Sequence, residues 1–165
     1  ESSMLSLLFI PPLAGEMEII MKILSLDVGD KTIGIAASDP LEMIATGIMT
    51  LERTNIKKDC DKIIDIVLRN ECKRIVIGLP KMLDGSESLQ TEKVKSFKEK
   101  LENKIKAQKV DADIVFFDER FTTKIAEQVL ISADISRKKR KEGIDKQAAV
   151  IILQGYLEEK RGKDI

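Results

Sequence analysis

Two periods of hydrophobicity divide the chain. Lys22 to Leu26 (KILSL) is a short, nearly unbroken apolar run and predicts a buried strand. Asp27-Val28-Gly29-Asp30 follows as a turn, with a glycine for dihedrals that other residues avoid. Thr32 to Ser38 (TIGIAAS) predicts a second strand, so the first two make a hairpin, and Ile44 to Leu51 predicts a third. The period then lengthens. Cys60, Ile63, Ile64, Val67 and Leu68 recur at the spacing of one face of an amphipathic helix. Arg74 to Gly78 (RIVIG) returns to a short apolar strand, closed by Gly78-Leu79-Pro80. Val94, Phe97, Leu101 and Ile105 mark a second long helix. Asp113 to Phe117 (DIVFF) is a further strand that runs directly into Asp118-Glu119-Arg120. Thr122 can cap a short helix carrying Ile125, Ala126, Val129 and Leu130. A basic run comes next, and then a last helix from about Ile144 to Glu159.

The predicted order is β-β-β-α-β-α-β-α-α. Three consecutive strands suggest an antiparallel meander, and the later alternation adds parallel strands with helices on the sheet faces. This is the order expected of an α/β protein with an RNase H-like fold, a mixed five-stranded sheet flanked by helices. A length of 165 residues fits one domain. Its start is expected at Met21, where the strand pattern begins, and its end near 160, with 161–165 as a tail. Residues 1–20 read as an extension of unassigned role. Its apolar stretch Met4–Ile10, followed by Pro11 and Pro12, is too short to span a membrane, and no basic segment precedes it.

Composition narrows the chemistry. Hydrophobic residues at 43% supply an ordinary core, and charged residues at 34% solvate the surface. The 28 basic and 28 acidic residues cancel, so an argument for nucleic acid has to be local. From Arg120 to Lys146 there are eight basic residues against four acidic ones, densest at Arg137, Lys138, Lys139, Arg140 and Lys141. Taken alone, such a run is equally a solvated loop. The absence of histidine excludes Ser-His-Asp triads, Cys-His pairs and histidine metal sites. Cys60 and Cys72 form no CxxC motif and suit buried thiols in a reducing, cytoplasmic setting.

Carboxylates therefore carry the candidate chemistry. Asp27 ends the first strand, Glu119 follows the last, and Asp145 opens the final helix. Asp27 and Glu119 become neighbours if they lie on one edge of adjacent strands. Asp145 shares a helix face with Ala148, Ala149 and Ile152, which should pack on the sheet. Each has a plainer reading: Asp27 as a turn residue, Asp145 as an N-cap, Asp118 and Glu119 as partners of Arg120 or as solvated groups. Three converging carboxylates repel unless a cation joins them. A hard divalent ion, Mg2+ or Mn2+, takes oxygen ligands and can activate water for phosphodiester hydrolysis. Asp27, Glu119 and Asp145 are thus the candidate catalytic and metal-ligating set. Arg120 and the run 137–141 are candidate phosphate contacts. The loop from Gly78-Leu79-Pro80 to Asp84-Gly85-Ser86 could hold a phosphate at a helix start, although an ordinary connection is the favoured reading. With few aromatics and no tryptophan, backbone or shape recognition is expected over base stacking.

Four segments resemble the RuvX/YqgF family of RuvC-like, RNase H-like nucleases: LSLDVGDKTIGIAASD (24–39), IVIGLPKMLDGS (75–86), FFDERFTT (116–123) and RKKRKEGIDKQAAVIILQGYL (137–157). They stand in family order. Phe121 replaces a usual leucine, and Lys81-Met82-Leu83 varies the loop after GLP. The resemblance implies an acidic site at Asp27, Glu119 and Asp145. It also implies a nuclease for 5′-end maturation of precursor 16S rRNA, with ribosomal assembly intermediates as partners, no membrane, and a monomer or weak homodimer. A Holliday junction resolvase is the alternative. The rRNA role is favoured because a resolvase needs a symmetric dimer with a large basic face, and this chain is neutral overall. A non-catalytic RNA- or ribosome-binding module is the third reading, opposed by the intact acidic set. DVGDKTIGIAASD also resembles the first phosphate loop of actin-like ATPases, but this length cannot supply their two lobes.

Overall fold

The strands form where the apolar runs predict them. β1 (Lys22–Val28), β2 (Thr32–Ser38) and β3 (Ala45–Glu52) make an antiparallel meander. β4 (Cys72–Leu79) and β5 (Asp113–Asp118) add in parallel, giving the sheet order β3-β2-β1-β4-β5. Helix α1 (Ile56–Arg69) joins β3 to β4, and α2 (Leu89–Ala107) joins β4 to β5. A single 3-10 turn, Glu119–Phe121, follows β5, and a long helix α3 (Arg137–Lys163) closes the chain. The computed structural model describes residues 21–121 and 137–163, and of 121, 137–145 and 163 the backbone alone. The extension 1–20 and the short helix expected after Thr122 lie outside the described residues.

The sheet separates two apolar layers. On one face Leu24, Leu26, Ile33, Ile35, Ile75 and Ile77 pack against α1 and α2 through Ile63, Val67, Val94, Phe97 and Leu101. On the other, Ile23, Ala36, Val76 and Phe117 pack against α3 through Ala149, Ile152, Leu153 and Leu157. The inner strands are covered on both faces, which is why β1 and β4 read as unbroken apolar runs rather than alternating ones. Ser25, fully buried in β1, donates its hydroxyl to the Ala149 carbonyl at 2.7 Å and ties the strand to α3. Both cysteines are free and buried, as expected. Among the described residues no helix is long and apolar enough to cross a membrane.

One expectation fails. The last helix begins at Arg137, not near Ile144, so the basic run 137–141 lies on the helix rather than in a loop before it. Lysine and arginine are good helix formers, and an interior Gly143 costs only about 1 kcal/mol, so nothing there stops the helix. Asp145 is consequently the ninth residue of α3, and the N-cap reading is excluded.

Ile152 is 2% exposed and packs α3 against β4 at Gly78. Ile152→Ala should cost about 2–5 kcal/mol of stability, read as a lower urea midpoint with an unchanged slope.

Candidate active site

Strand alternation aligns the site. Side chains two apart share a face, so β1 presents Ile23, Ser25 and Asp27 toward α3, while β4 presents Val76 and Gly78. β5 presents Val115 and Phe117 to the same layer, and Glu119 comes next in that series. The parallel registers set Leu26 beside Ile77, and Gly78 beside Phe117. Asp27, Gly78 and Glu119 therefore meet at the carboxyl ends of three neighbouring strands, on the α3 side.

Here the structure revises the expected contact. β1 and β5 are not adjacent; β4 runs between them. Glu119 nevertheless lies near enough for the Asp27 charge to act on it, and the residue of β4 beside it has no side chain. A Cβ on Gly78 would lie 2.6 Å from Glu119 Oε1 and 2.5 Å from Ile152 Cδ1, so one or both side-chain ends would have to move. The Glu119 carboxylate occupies the space that glycine leaves, under the cover of α3. The sequence reading took Gly78 as the end of a strand and the start of an ordinary connection, with a phosphate loop as the lesser alternative, and missed this role. A glycine ending an otherwise bulky apolar strand was the available signal.

Electrostatics separates the two adjacent acids. Burial pushes the Glu119 carboxyl up to about 7, and the nearby charges of Asp27 and then Asp118 add to the rise. Asp118 goes the other way, held below the usual carboxylate range by its hydrogen bonds from Arg120. Arg120 Nε donates to Asp118 Oδ2 at 3.0 Å and Nη2 to the same oxygen at 2.6 Å, while the Arg120 backbone N–H donates to Oδ1 at 3.0 Å. So Asp118 takes the arginine, and Glu119 turns inward.

The GLP loop resolves as a capped connection. Ser88 is the N-cap of α2, in a reciprocal capping box with Thr91, whose hydroxyl also bonds the Pro80 carbonyl. Asp84 Oδ1 accepts from the Ser86 N–H at 2.9 Å and orders the preceding turn. Gly85, at φ +90°, faces Arg120, whose Nη1 would stand 3.2 Å from a Cβ there.

Asp145 stands four and seven residues before the buried Ala149 and Ile152, about one and two turns up the same helix. Its neighbour Lys146 lays its stem across Gly47 of β3, where a Cβ would come within 2.6 Å of Cγ. The side chain of Asp145, like those of Arg137, Lys138, Lys139, Arg140 and Lys141, lies outside the described residues. Among the described residues no three His, Cys, Asp or Glu side chains gather as a metal site.

The family profile described as "RuvX: Holliday junction resolvase" matches residues 21–159. The chain belongs to the RuvX family. A Desulforamulus reducens protein named "Putative pre-16S rRNA nuclease" is 48% identical over 138 residues, covering 84% of this chain and 97% of the relative. A Halalkalibacterium halodurans protein of the same name is 49% identical over 145 residues, covering 87% of this chain and all of the relative. Among solved structures, T. thermophilus RuvC in complex with a Holliday junction substrate superposes with a TM-score of 0.60 at 9% identity, covering 86% of this chain and 96% of that one. Fowlpox virus resolvase in complex with Holliday junction DNA gives 0.52 at 16%, covering 85% and 99%. At these identities the likeness is one of fold, the RNase H-like mixed sheet that the element order predicts.

Two outcomes follow for this RuvX-family chain. Because the folded carboxyl of Glu119 titrates near 7, above its ordinary value of 4.5, the folded state holds its proton more tightly than the unfolded state. Stability of the metal-free protein should fall as pH rises from 4.5 through 7, measured as a declining Tm. Glu119→Gln should flatten that decline. Gly78→Ala should displace Glu119 or Ile152 and cost about 1–3 kcal/mol in denaturant unfolding.

Proposed function

We propose that this chain is a divalent-metal-dependent nuclease that matures the 5′ end of precursor 16S rRNA, acting in the cytoplasm on assembling small-subunit particles. The observation that carries the reading is the closeness of two carboxylates, Asp27 and Glu119, with Glu119 filling the gap at Gly78 and buried where ionisation is costly. Burial and like charge both oppose the ionised pair, and a bound cation relieves both. The donor set fits a hard ion: oxygen ligands only, with no histidine in the chain and both cysteines buried in the layers. Asp27 and Glu119 would hold Mg2+ or Mn2+, with Asp145 as the third ligand supplied from α3. When bound, such an ion supplies Lewis acidity toward a phosphodiester and makes water a stronger nucleophile.

The chain's own residues do the rest. Glu119 must shed its proton before it can bind a cation, so metal affinity should rise with pH through about 7. Ile152 and the α3 layer keep bulk water from one side of the pair. Arg120, oriented by Asp118, stands at the rim as a phosphate contact. The run 137–141 occupies the first turns of α3, where cations oppose the helix dipole. A phosphate backbone lying there would offset that cost. The names of the relatives favour rRNA, and the RuvC-like fold makes branched DNA the proper comparison substrate.

The test is cleavage of a labelled precursor 16S rRNA 5′ leader, free and within immature particles, beside a four-way DNA junction, in Mg2+, Mn2+ or EDTA. The rRNA should be cut only with metal, and Asp27→Asn should lower the rate at least about 100-fold. Cutting of the junction alone would move the activity to resolution. Metal-independent cutting would reject the metal reading, and no cutting of any substrate by folded protein would reject the nuclease reading.

A further inference from the structure

One buried charge pair lies outside the site yet reaches toward it. Arg53, just beyond β3, pairs with Asp59 in the first turn of α1, Nε to Oδ2 at 3.2 Å. Asp59 is only 1% exposed, and its other oxygen accepts the Thr54 N–H at 3.0 Å. The Arg53 guanidinium lies over the Phe97 ring of α2, 5.3 Å from its centroid. From that fixed position Nη1 donates to the Gly29 carbonyl at 2.8 Å, and the Arg53 backbone N–H donates to the Lys31 carbonyl at 2.9 Å. Gly29 stands two residues beyond Asp27.

The same turn is gripped by α2. Gln90 Nε2 donates to the Val28 carbonyl at 3.3 Å, and Lys93 pairs with Asp30 at 3.2 Å. The turn closes on itself through the Gly29 N–H and the Thr32 carbonyl at 2.9 Å. Asp59 falls on the apolar stripe of α1, beside Cys60 and Ile63, where an aliphatic residue would pack without desolvating a charge. What an aliphatic pair could not do is direct a rigid, forked donor at the turn carbonyl.

We infer that Arg53, fixed by Asp59, is a positioning residue for Asp27: it sets the turn at 28–31 and so holds the end of β1 where its carboxylate faces that of Glu119. The inference rests on the reading of Asp27 as a metal ligand. It predicts that loosening Arg53 weakens cation binding without touching any ligand and without unfolding the sheet.

Four proteins test it: the full-length wild type, Arg53→Lys, the double variant Arg53→Met with Asp59→Leu, and Asp27→Asn as the ligand control. The double change removes both charges and keeps the volume apolar, so it should fold. Lysine at 53 keeps the charge beside Asp59 but cannot serve both Asp59 and the Gly29 carbonyl as the fork does. The measurements are Mn2+ affinity by calorimetry without substrate, amide exchange at 29–32, and thermal unfolding. The double variant should unfold within a few degrees of wild type, exchange faster at 29–32, and bind Mn2+ about 10-fold more weakly. Arg53→Lys should fall between. If the double variant does not fold, Arg53→Lys is judged by the same readings. Wild-type Mn2+ affinity in folded variants, with Asp27→Asn abolishing it, overturns this inference alone. No Mn2+ binding by wild type overturns the metal reading and this inference together.

Discussion

The Glu119 carboxylate sits in the volume that Gly78 leaves empty, and the geometry around it follows from that placement. Any side chain at 78 would collide with Glu119 on one side and with Ile152 of α3 on the other. The missing Cβ leaves room for the acid just past β5 to lie near an acid of β1 across an intervening strand. It also lets the helix come down close enough to bury the acid. Burial and the Asp27 charge act in the same direction on Glu119, so proximity is what makes the pair respond to a cation.

The layering supports this corner from both faces. α1 and α2 cover one side of the sheet, and α3 covers the other. The Ser25 hydroxyl bonded to the Ala149 carbonyl sets where α3 crosses β1, one strand away from the Gly78 gap. Farther along, Tyr156 of α3 accepts from Arg74 Nη1 at 2.9 Å, and Lys160 pairs with Glu42 at 2.9 Å. These polar ties fix the helix lengthwise, which apolar packing alone does weakly because it is not directional. The helix carrying Asp145 is therefore held from Ala149 onward, next to the two carboxylates the strands supply.

Charge is arranged locally rather than in sum. The chain is neutral overall, yet the acids and bases near the site are sorted by partner. Asp118 takes Arg120, Asp59 takes Arg53 and Asp30 takes Lys93. Burial and the charges of Asp27 and Asp118 raise the Glu119 carboxyl, whereas the Arg120 partner lowers that of Asp118.

Much of this was readable along the chain. The five strands, the two crossover helices and the sheet-facing stripe of α3 follow from apolar periodicity, because a residue's face depends only on local geometry. The positions of Asp27 and Glu119 at strand ends were legible for the same reason. The start of α3 was not, since a run of lysines and arginines suits a helix as well as a loop. Asp59 left a trace, a charge on an apolar stripe, but its partner Arg53 and the carbonyl of Gly29 had none. Sequence by itself determined the elements, their order and the acids that end them. Only the tertiary structure decided that β4 lies between Asp27 and Glu119, that Glu119 fills the space beside Gly78, and that Asp118 takes Arg120. Those facts depend on which strands become neighbours, and strand neighbours are chosen by packing across the whole sheet, not by any local pattern.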